Sequence, residues 1–157
     1  LVCDLDHTLI HATCNAPHTP TAFADVPDVH SFSLDRGRTL YHVKLRPHVR
    51  EFLRAAHDVF ELHIYTMGNR PYADRVAQIL DPAGEYFHAR ILSRDECDSA
   101  RMNSKSLKRL FPWDDSMVVV IDDRLDVWLG CKNLVQVKPY KAFDENEKIN
   151  VEADKTD

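Results

Sequence analysis

The chain has 157 residues, 44% of them hydrophobic and 29% charged, with a formal net charge of −5 from 20 Lys and Arg against 25 Asp and Glu. This is ordinary composition for one globular domain, long enough to bury a core unaided, and neither disordered nor collagenous. The acidic balance argues against a general nucleic-acid binder, which needs a basic footprint, and no apolar run approaches the ~18 residues of a membrane span.

The first run, Leu1-Val2-Cys3-Asp4-Leu5, is apolar and short with a carboxylate near its end, as suits a buried central strand. Because Leu1 already lies inside that run, the sequence is expected to be a piece of a longer protein, and the missing signal peptide carries no weight. Residues 9–30, rich in Pro, Thr, Ala and His, read as a long irregular loop. Alternation in 31–34 and 39–45 around the turn Asp35-Arg36-Gly37-Arg38 predicts a β-hairpin. Pro47 suits a helix start, and Val49, Phe52, Leu53 and Ala56 keep helical spacing through His57. A strand over 59–65 ends at Thr66-Met67-Gly68-Asn69. Pro71 opens a second helix with Tyr72, Val76, Ile79 and Leu80 on its apolar face, stopped by Asp81-Pro82. A strand over 87–92, a polar loop over 93–103 and a short helix around 104–110 follow. Met117-Val118-Val119-Val120-Ile121 is the clearest strand, and a last one is expected at 134–137. The tail 144–157 is polar and expected to fray, leaving 1–143 as the folded domain. The four cysteines, Cys3, Cys14, Cys97 and Cys131, form no C-x-x-C pair and read as reduced thiols of an intracellular protein. Strands alternating with helices, with continuous apolar strand runs, argue for an α/β fold with a doubly wound parallel sheet and an inserted hairpin.

In such sheets ligands bind outside the carboxyl ends of the strands. Three expected strands end there in polar residues: Asp4-Leu5-Asp6-His7-Thr8, Thr66, and Asp122-Asp123. Lys105 lies just before the third. Two carboxylate clusters, a hydroxyl and an ammonium suit a hard cation together with a phosphate. The D-x-D-x-T pattern alone is weak, with about 0.1 chance matches expected at this composition; its place after the first apolar strand sharpens it. Each part also has a plainer reading. An Asp after a strand is a common helix N-cap, Thr66 can be a turn hydroxyl, and Lys105 can be solvated.

Asp4-Leu5-Asp6-His7-Thr8 resembles the nucleophile motif of haloacid-dehalogenase-type phosphatases. Val43-Lys44-Leu45-Arg46-Pro47, His63-Ile64-Tyr65-Thr66-Met67-Gly68-Asn69-Arg70, Ile91-Leu92-Ser93-Arg94-Asp95, Lys105-Ser106-Leu107-Lys108-Arg109-Leu110-Phe111-Pro112 and the run 118–124 extend the match. Together they resemble the Fcp branch, which dephosphorylates the carboxy-terminal domain of RNA polymerase II. The match spans Leu1 to about Phe143. His7 stands where the family often has Gln and, lying between the two aspartates, is expected to matter little; residues 11–40 match poorly. Asp122-Asp123 favours this branch over the small tail phosphatases, which tend to carry Asp-Asn.

The resemblance implies a haloacid-dehalogenase-like fold without a large cap and a Mg²⁺-dependent serine/threonine phosphatase. Asp4 is the implied nucleophile and Asp6 the acid and base. Thr66 and Lys105 are implied phosphate ligands. Asp4, Asp122, Asp123 and the backbone carbonyl of Asp6 are the implied Mg²⁺ ligands. Thr8, Arg46 and Asp81 match positions that bind phosphate or support the site; a loop-anchoring contact is the alternative for Arg46 and Asp81. The implied substrate is a phosphoserine or phosphothreonine peptide of the polymerase tail. A nuclear monomer is expected, with transcription factor TFIIF as a further partner and no direct nucleic-acid or membrane contact. Two other readings stay open: a catalytically silent phosphopeptide-binding domain of the same fold, and a phosphatase for another phosphoprotein or a small molecule. The histidines read as structural or solvated, and Trp113 and Trp128 as packing. Arg101, Lys105, Lys108 and Arg109 read as a solvated basic face rather than a second phosphate site.

Overall fold

The computed structural model describes residues 1–14, 21–97, 104–144 and 148–150. Its centre is a parallel sheet of five short strands: β1 (Val2–Cys3), β5 (His63–Tyr65), β6 (Ile91–Leu92), β7 (Val120–Asp122) and β8 (Leu134–Gln136). Their spatial order is β6-β5-β1-β7-β8. The chain winds outward from β1 through β5 and β6, then crosses back to add β7 and β8 on the other side. The direction of winding therefore reverses between β1 and β7, the place where doubly wound sheets bind ligands. Val2 pairs with His63 on one side and Val120 on the other. Val2, Cys3, Ile64, Tyr65 and Val120 are all fully buried, which explains their unbroken apolar runs.

The expected hairpin is present, and larger than the sequence pattern suggests. β3 (Val29–Leu34) and β4 (Thr39–Leu45) pair antiparallel. A third strand, β2 (Ile10–Thr13), joins the other side of β4, with Ile10 opposite Leu45. Residues 10–13 are thus strand rather than loop. Their short Ile-His-Ala-Thr stretch alternates apolar and polar, but four residues are too few to stand out from the loop-like sequence after them, and they take their form from the β4 edge beside them. Phe32 stacks on Tyr41 across the hairpin at a centroid distance of 5.6 Å.

Helix α1 (Val49–His57) buries Val49, Leu53 and Ala56. Phe52, expected on the same face, is 40% exposed. Helix α2 (Arg70–Leu80) begins as its sequence predicts: the Asn69 side chain accepts from the Tyr72 N–H, with Pro71 in the first turn. Several expected strands are shorter than their apolar runs. Val59 is 73% exposed and Met117 is 90% exposed, because the runs start before the neighbouring strand that would pair with them. The segment expected as a helix near Lys105 is a single 3₁₀ turn, Leu107–Arg109, capped by the Ser106 side chain. The basic cluster disperses: Lys105 is buried, Arg109 donates to Tyr65 Oη at 3.0 Å, Lys108 lies 3.9 Å from Asp115, and Arg101 is outside the described residues.

Asp144 N–H donates to the Lys148 carbonyl at 2.8 Å and Asn150 N–H to the Ala142 carbonyl at 2.6 Å, so the described part of the tail turns back on the preceding segment. Ile149 and Phe23 pack there against the cluster of Tyr140, Ala142 and Phe143.

Candidate active site

Asp4 continues directly from β1, its N–H donating to the Ile121 carbonyl at 3.0 Å, while Asp122 closes β7. The two carboxylates therefore leave adjacent strands at the reversal point. Lys105, its N–H held by the Val127 carbonyl at 2.8 Å, sends its ammonium between them. It bonds Asp4 Oδ1 and, at 2.6 Å, Asp122 Oδ2. All three residues are buried. Thr66 follows β5 and faces the same space. Asp4, Asp6, His7, Thr66, Met67, Lys105, Asp122 and Asp123 line one cleft of about 300 Å³. Six separately expected side chains thus converge.

The electrostatics are those of a crowded anionic site. Burial raises Asp4 to about 7, opposed by Lys105 and reinforced by Asp122. For Lys105 burial acts downward, but Asp4 and Asp122 together outweigh it, so the group is held as an ammonium above its ordinary range. Burial also raises Asp6, opposed by a hydrogen bond from the Tyr72 hydroxyl at 2.6 Å. Asp123 is raised by burial and by neighbouring Asp122. Carboxylate oxygens of Asp4, Asp122 and Asp123 lie within 4.8 Å of one another. Three hard oxygen donors with no thiolate or imidazole among them fit Mg²⁺ rather than Zn²⁺. The Asp6 side chain stands outside this group, turned to Tyr72.

The remaining expected residues have supporting positions. Thr8 Oγ1 accepts the Asp123 N–H at 3.1 Å and so ties the two acidic segments together. Arg46 Nη1 donates to the Thr8 carbonyl at 3.0 Å and to the Lys138 carbonyl at 3.1 Å, bracing the motif loop without lining the cleft. Asp81 lies beyond the end of α2, where its carboxylate accepts from the N–H groups of Glu85, Tyr86 and Phe87 at 2.9, 2.8 and 3.1 Å. That is a loop anchor. Thr66 Oγ1 accepts from Gly68 N–H at 3.0 Å, leaving the hydroxyl hydrogen to be given into the cleft.

Four contributors were not marked as such by the sequence. Tyr72, read as helix core, holds Asp6. Trp128, read as packing, donates its indole N–H to Asp122 Oδ2 at 2.7 Å. Gly68 leaves room for Tyr72: a β carbon there would lie 2.5 Å from its ring. His7 has φ 63°, a left-handed conformation that few side chains tolerate. Its loop is closed by His7 N–H to the Ile10 carbonyl at 2.7 Å and clamped to Tyr140, whose N–H donates to the His7 carbonyl at 2.8 Å. His7 Nδ1 meets the Tyr140 carbonyl at 2.9 Å. The signal in the sequence was a polar tip on each aromatic residue, which must find a partner when buried.

A family model described as NLI interacting factor-like phosphatase matches residues 1–152. The chain belongs to that family. It is similar to an RNA polymerase II C-terminal domain phosphatase of Schizosaccharomyces pombe, 47% identical over 155 residues, covering 91% of this chain and 21% of that protein. The protein of the same description from Caenorhabditis elegans is 47% identical over 150 residues, covering 96% of this chain and 22% of its own length. The human one is 42% identical over 153 residues, covering 96% and 15%. The chain therefore spans only 15–22% of the length of these relatives. Among solved structures, that of Fcp1, described as an essential RNA polymerase II CTD phosphatase, superposes with a TM-score of 0.80 at 44% identity, covering 92% of this chain and 42% of that one. A fission yeast Fcp1 variant bound to beryllium fluoride gives a TM-score of 0.79. These likenesses agree with the haloacid-dehalogenase-like α/β architecture of the sheet.

Proposed function

We propose that this chain is the catalytic domain of a Mg²⁺-dependent serine/threonine phosphatase that acts on the phosphorylated tail of RNA polymerase II through an aspartyl-phosphate. The observation that carries this reading is the Asp4–Lys105–Asp122 triad at the strand-order reversal, with Asp6 beside it in one cleft. Asp4 attacks phosphorus and the bond to the serine oxygen breaks, while Asp6, whose carboxyl pKa burial pushes up, gives that oxygen its proton. Asp6 then takes a proton from the water that cleaves the aspartyl-phosphate. Lys105 offsets the charge that would otherwise repel attacker and phosphate, and Thr66 donates to a phosphoryl oxygen. Asp4, Asp122, Asp123 and the Asp6 carbonyl would hold Mg²⁺, which when bound supplies further positive charge against the phosphoryl oxygens.

Intact Asp4, Asp6, Lys105 and Asp122 speak against a silent phosphopeptide binder. Against a small-molecule enzyme speaks the lack of room for a cap. Within 9–45, residues 10–13, 29–34 and 39–45 form the three-stranded sheet, and much of 67–97 is used by α2 and β6. An open cleft can admit an extended, Pro-rich disordered peptide at modest ordering cost. A second hollow of about 270 Å³ adjoins Asp6 and is lined by Tyr41, Asn69, Tyr72 and Arg94; Tyr41, stacked on Phe32, gives a candidate wall for the prolines. A nuclear site of action and a contact with TFIIF belong to the same reading. The test compares a phosphorylated tail peptide with free phosphoserine at one pH and Mg²⁺ concentration. The peptide's kcat/KM should be higher by several orders of magnitude; equal values refute the macromolecular substrate. In Asp4→Asn, turnover should fall on the order of 10³-fold or more with the fold intact, and substantial remaining activity refutes the nucleophile.

A further inference from the structure

Asp122 is more tightly held than the other acidic residues of the cleft. Its Oδ1 accepts the Arg124 N–H at 2.9 Å; its Oδ2 accepts Lys105 Nζ at 2.6 Å and Trp128 Nε1 at 2.7 Å. Trp128 is only 2% exposed, so its indole N–H is desolvated and committed to this bond. The ring is fixed in turn. It meets Tyr65 edge-on at 5.5 Å and 79°, and the Tyr65 hydroxyl is held by Arg109 at 3.0 Å. The Lys105 ammonium lies 5.6 Å from the Tyr65 ring centre and 5.8 Å from that of Trp128, within cation–π range of both. Behind this assembly is a further cavity of about 430 Å³, distinct from the hollow beside Asp6 and lined by Lys105, Lys108, Asp115, Trp128, Leu129 and Lys132 among others. The indole thus stands between that cavity and Asp122.

We propose that Trp128 is a positioning residue for the cation site, orienting Asp122 through its indole N–H and closing the site from behind. The proposal rests on the Mg²⁺-dependent reading above. A neutral donor suits the task. A second ammonium or guanidinium would hold Asp122 equally well but would repel the arriving cation, whereas an indole N–H fixes the carboxylate without adding charge. Lys105 alone could not do both jobs, because it is shared with Asp4 and faces the transferred phosphate.

The chain has two tryptophans, and the other, Trp113, is 93% exposed and remote from the cleft lining. Trp113→Phe therefore leaves Trp128 as the sole tryptophan, whose emission can be excited apart from that of the tyrosines. Titrating that variant with MgCl₂ should give a saturable change in emission that NaCl at equal ionic strength does not, and Asp123→Asn in the same background should weaken it. Trp128→Phe keeps the ring but not the N–H. Its half-saturating Mg²⁺ concentration, read by calorimetry, should rise about 10–100-fold, with an unchanged circular-dichroism spectrum. Mg²⁺ binding seen by calorimetry without any Trp128 response, or a folded Trp128→Phe with unaltered Mg²⁺ affinity, overturns the proposal alone. Absence of Mg²⁺ binding to the unsubstituted chain overturns it together with the reading it rests on. Should Trp128→Phe not fold, the single-tryptophan titration decides.

Discussion

Tyr72 donates its hydroxyl hydrogen to Asp6 Oδ1 at 2.6 Å, across 66 residues of sequence. The bond favours the ionised carboxylate and opposes the upward push of burial on Asp6. It also aims the carboxyl away from the Asp4–Asp122–Asp123 group.

Tyr72→Phe should therefore raise the Asp6 pKa further. A general acid must be protonated, so the alkaline limb of kcat/KM should move to higher pH. Lost aim should lower kcat on a phosphoserine peptide roughly 10–100-fold, the usual worth of a hydrogen bond to a charged group. Para-nitrophenyl phosphate, whose leaving group needs little protonation, should suffer much less. Equal losses on both substrates, with an unmoved pH profile, would contradict the acid role of Asp6.

Two buried carboxylates and the half-buried one of Asp123 facing each other repel, and Lys105 offsets only part of that charge. Mg²⁺ should stabilise the fold as well as permit turnover. At 100 times its dissociation constant the gain is about 2.7 kcal/mol, visible as a rise in Tm. EDTA should abolish activity and Mg²⁺ restore it. The Tm rise should shrink in Asp123→Asn, whose site has lost a ligand charge. A Tm indifferent to Mg²⁺ in both proteins would mean that the acidic cluster is not the ion site.

Burial imposes continuous apolar runs, which made the strand ends legible; a carboxylate after one such run is commonly a helix cap, and it was the recurrence of polar residues after three runs that marked a site. Asp4, Asp6, Thr66, Lys105, Asp122 and Asp123 were all readable in this way or through the family resemblance. β2 was not, since its form is set by a β4 edge some thirty residues away. Tyr72 and Trp128 were hidden for another reason. Helical spacing and bulk mark a buried aromatic equally well whether its polar tip is idle or holds a catalytic carboxylate. Arg46 and Asp81 were found by resemblance, but only the distances separate loop bracing from phosphate contact.

Asp81 offers a direct check of that separation. Removing its carboxylate leaves the Glu85, Tyr86 and Phe87 N–H groups without their acceptor, two of them in part-buried and one in buried surroundings. Asp81→Ala should cost about 3 kcal/mol in denaturant unfolding. The protein that remains folded at low temperature should keep its KM for the phosphopeptide within about twofold. Unchanged stability with a large rise in KM would restore Asp81 as a phosphate contact.

The last prediction concerns acid. His11, on β2, accepts the Phe143 N–H on Nδ1 at 3.0 Å, and its ring lies 4.4 Å from that of His7. Burial, then the charges of His7 and Lys141, lowers its pKa from 6.5 to about 4. A proton on Nδ1 would also break the bond to Phe143 and loosen the segment that clamps the His7 loop through Tyr140. Between pH 4 and 6.5 the unfolded chain thus binds a proton that the folded chain refuses. Stability must then fall as pH drops through this window, and this group adds no further loss below pH 4. His11→Asn keeps an acceptor for Phe143 N–H but cannot titrate. Its unfolding free energy, measured by urea denaturation across the window, should depend on pH less steeply than that of the unsubstituted chain. Parallel slopes for the two proteins would show that His11 is not the group that senses acid.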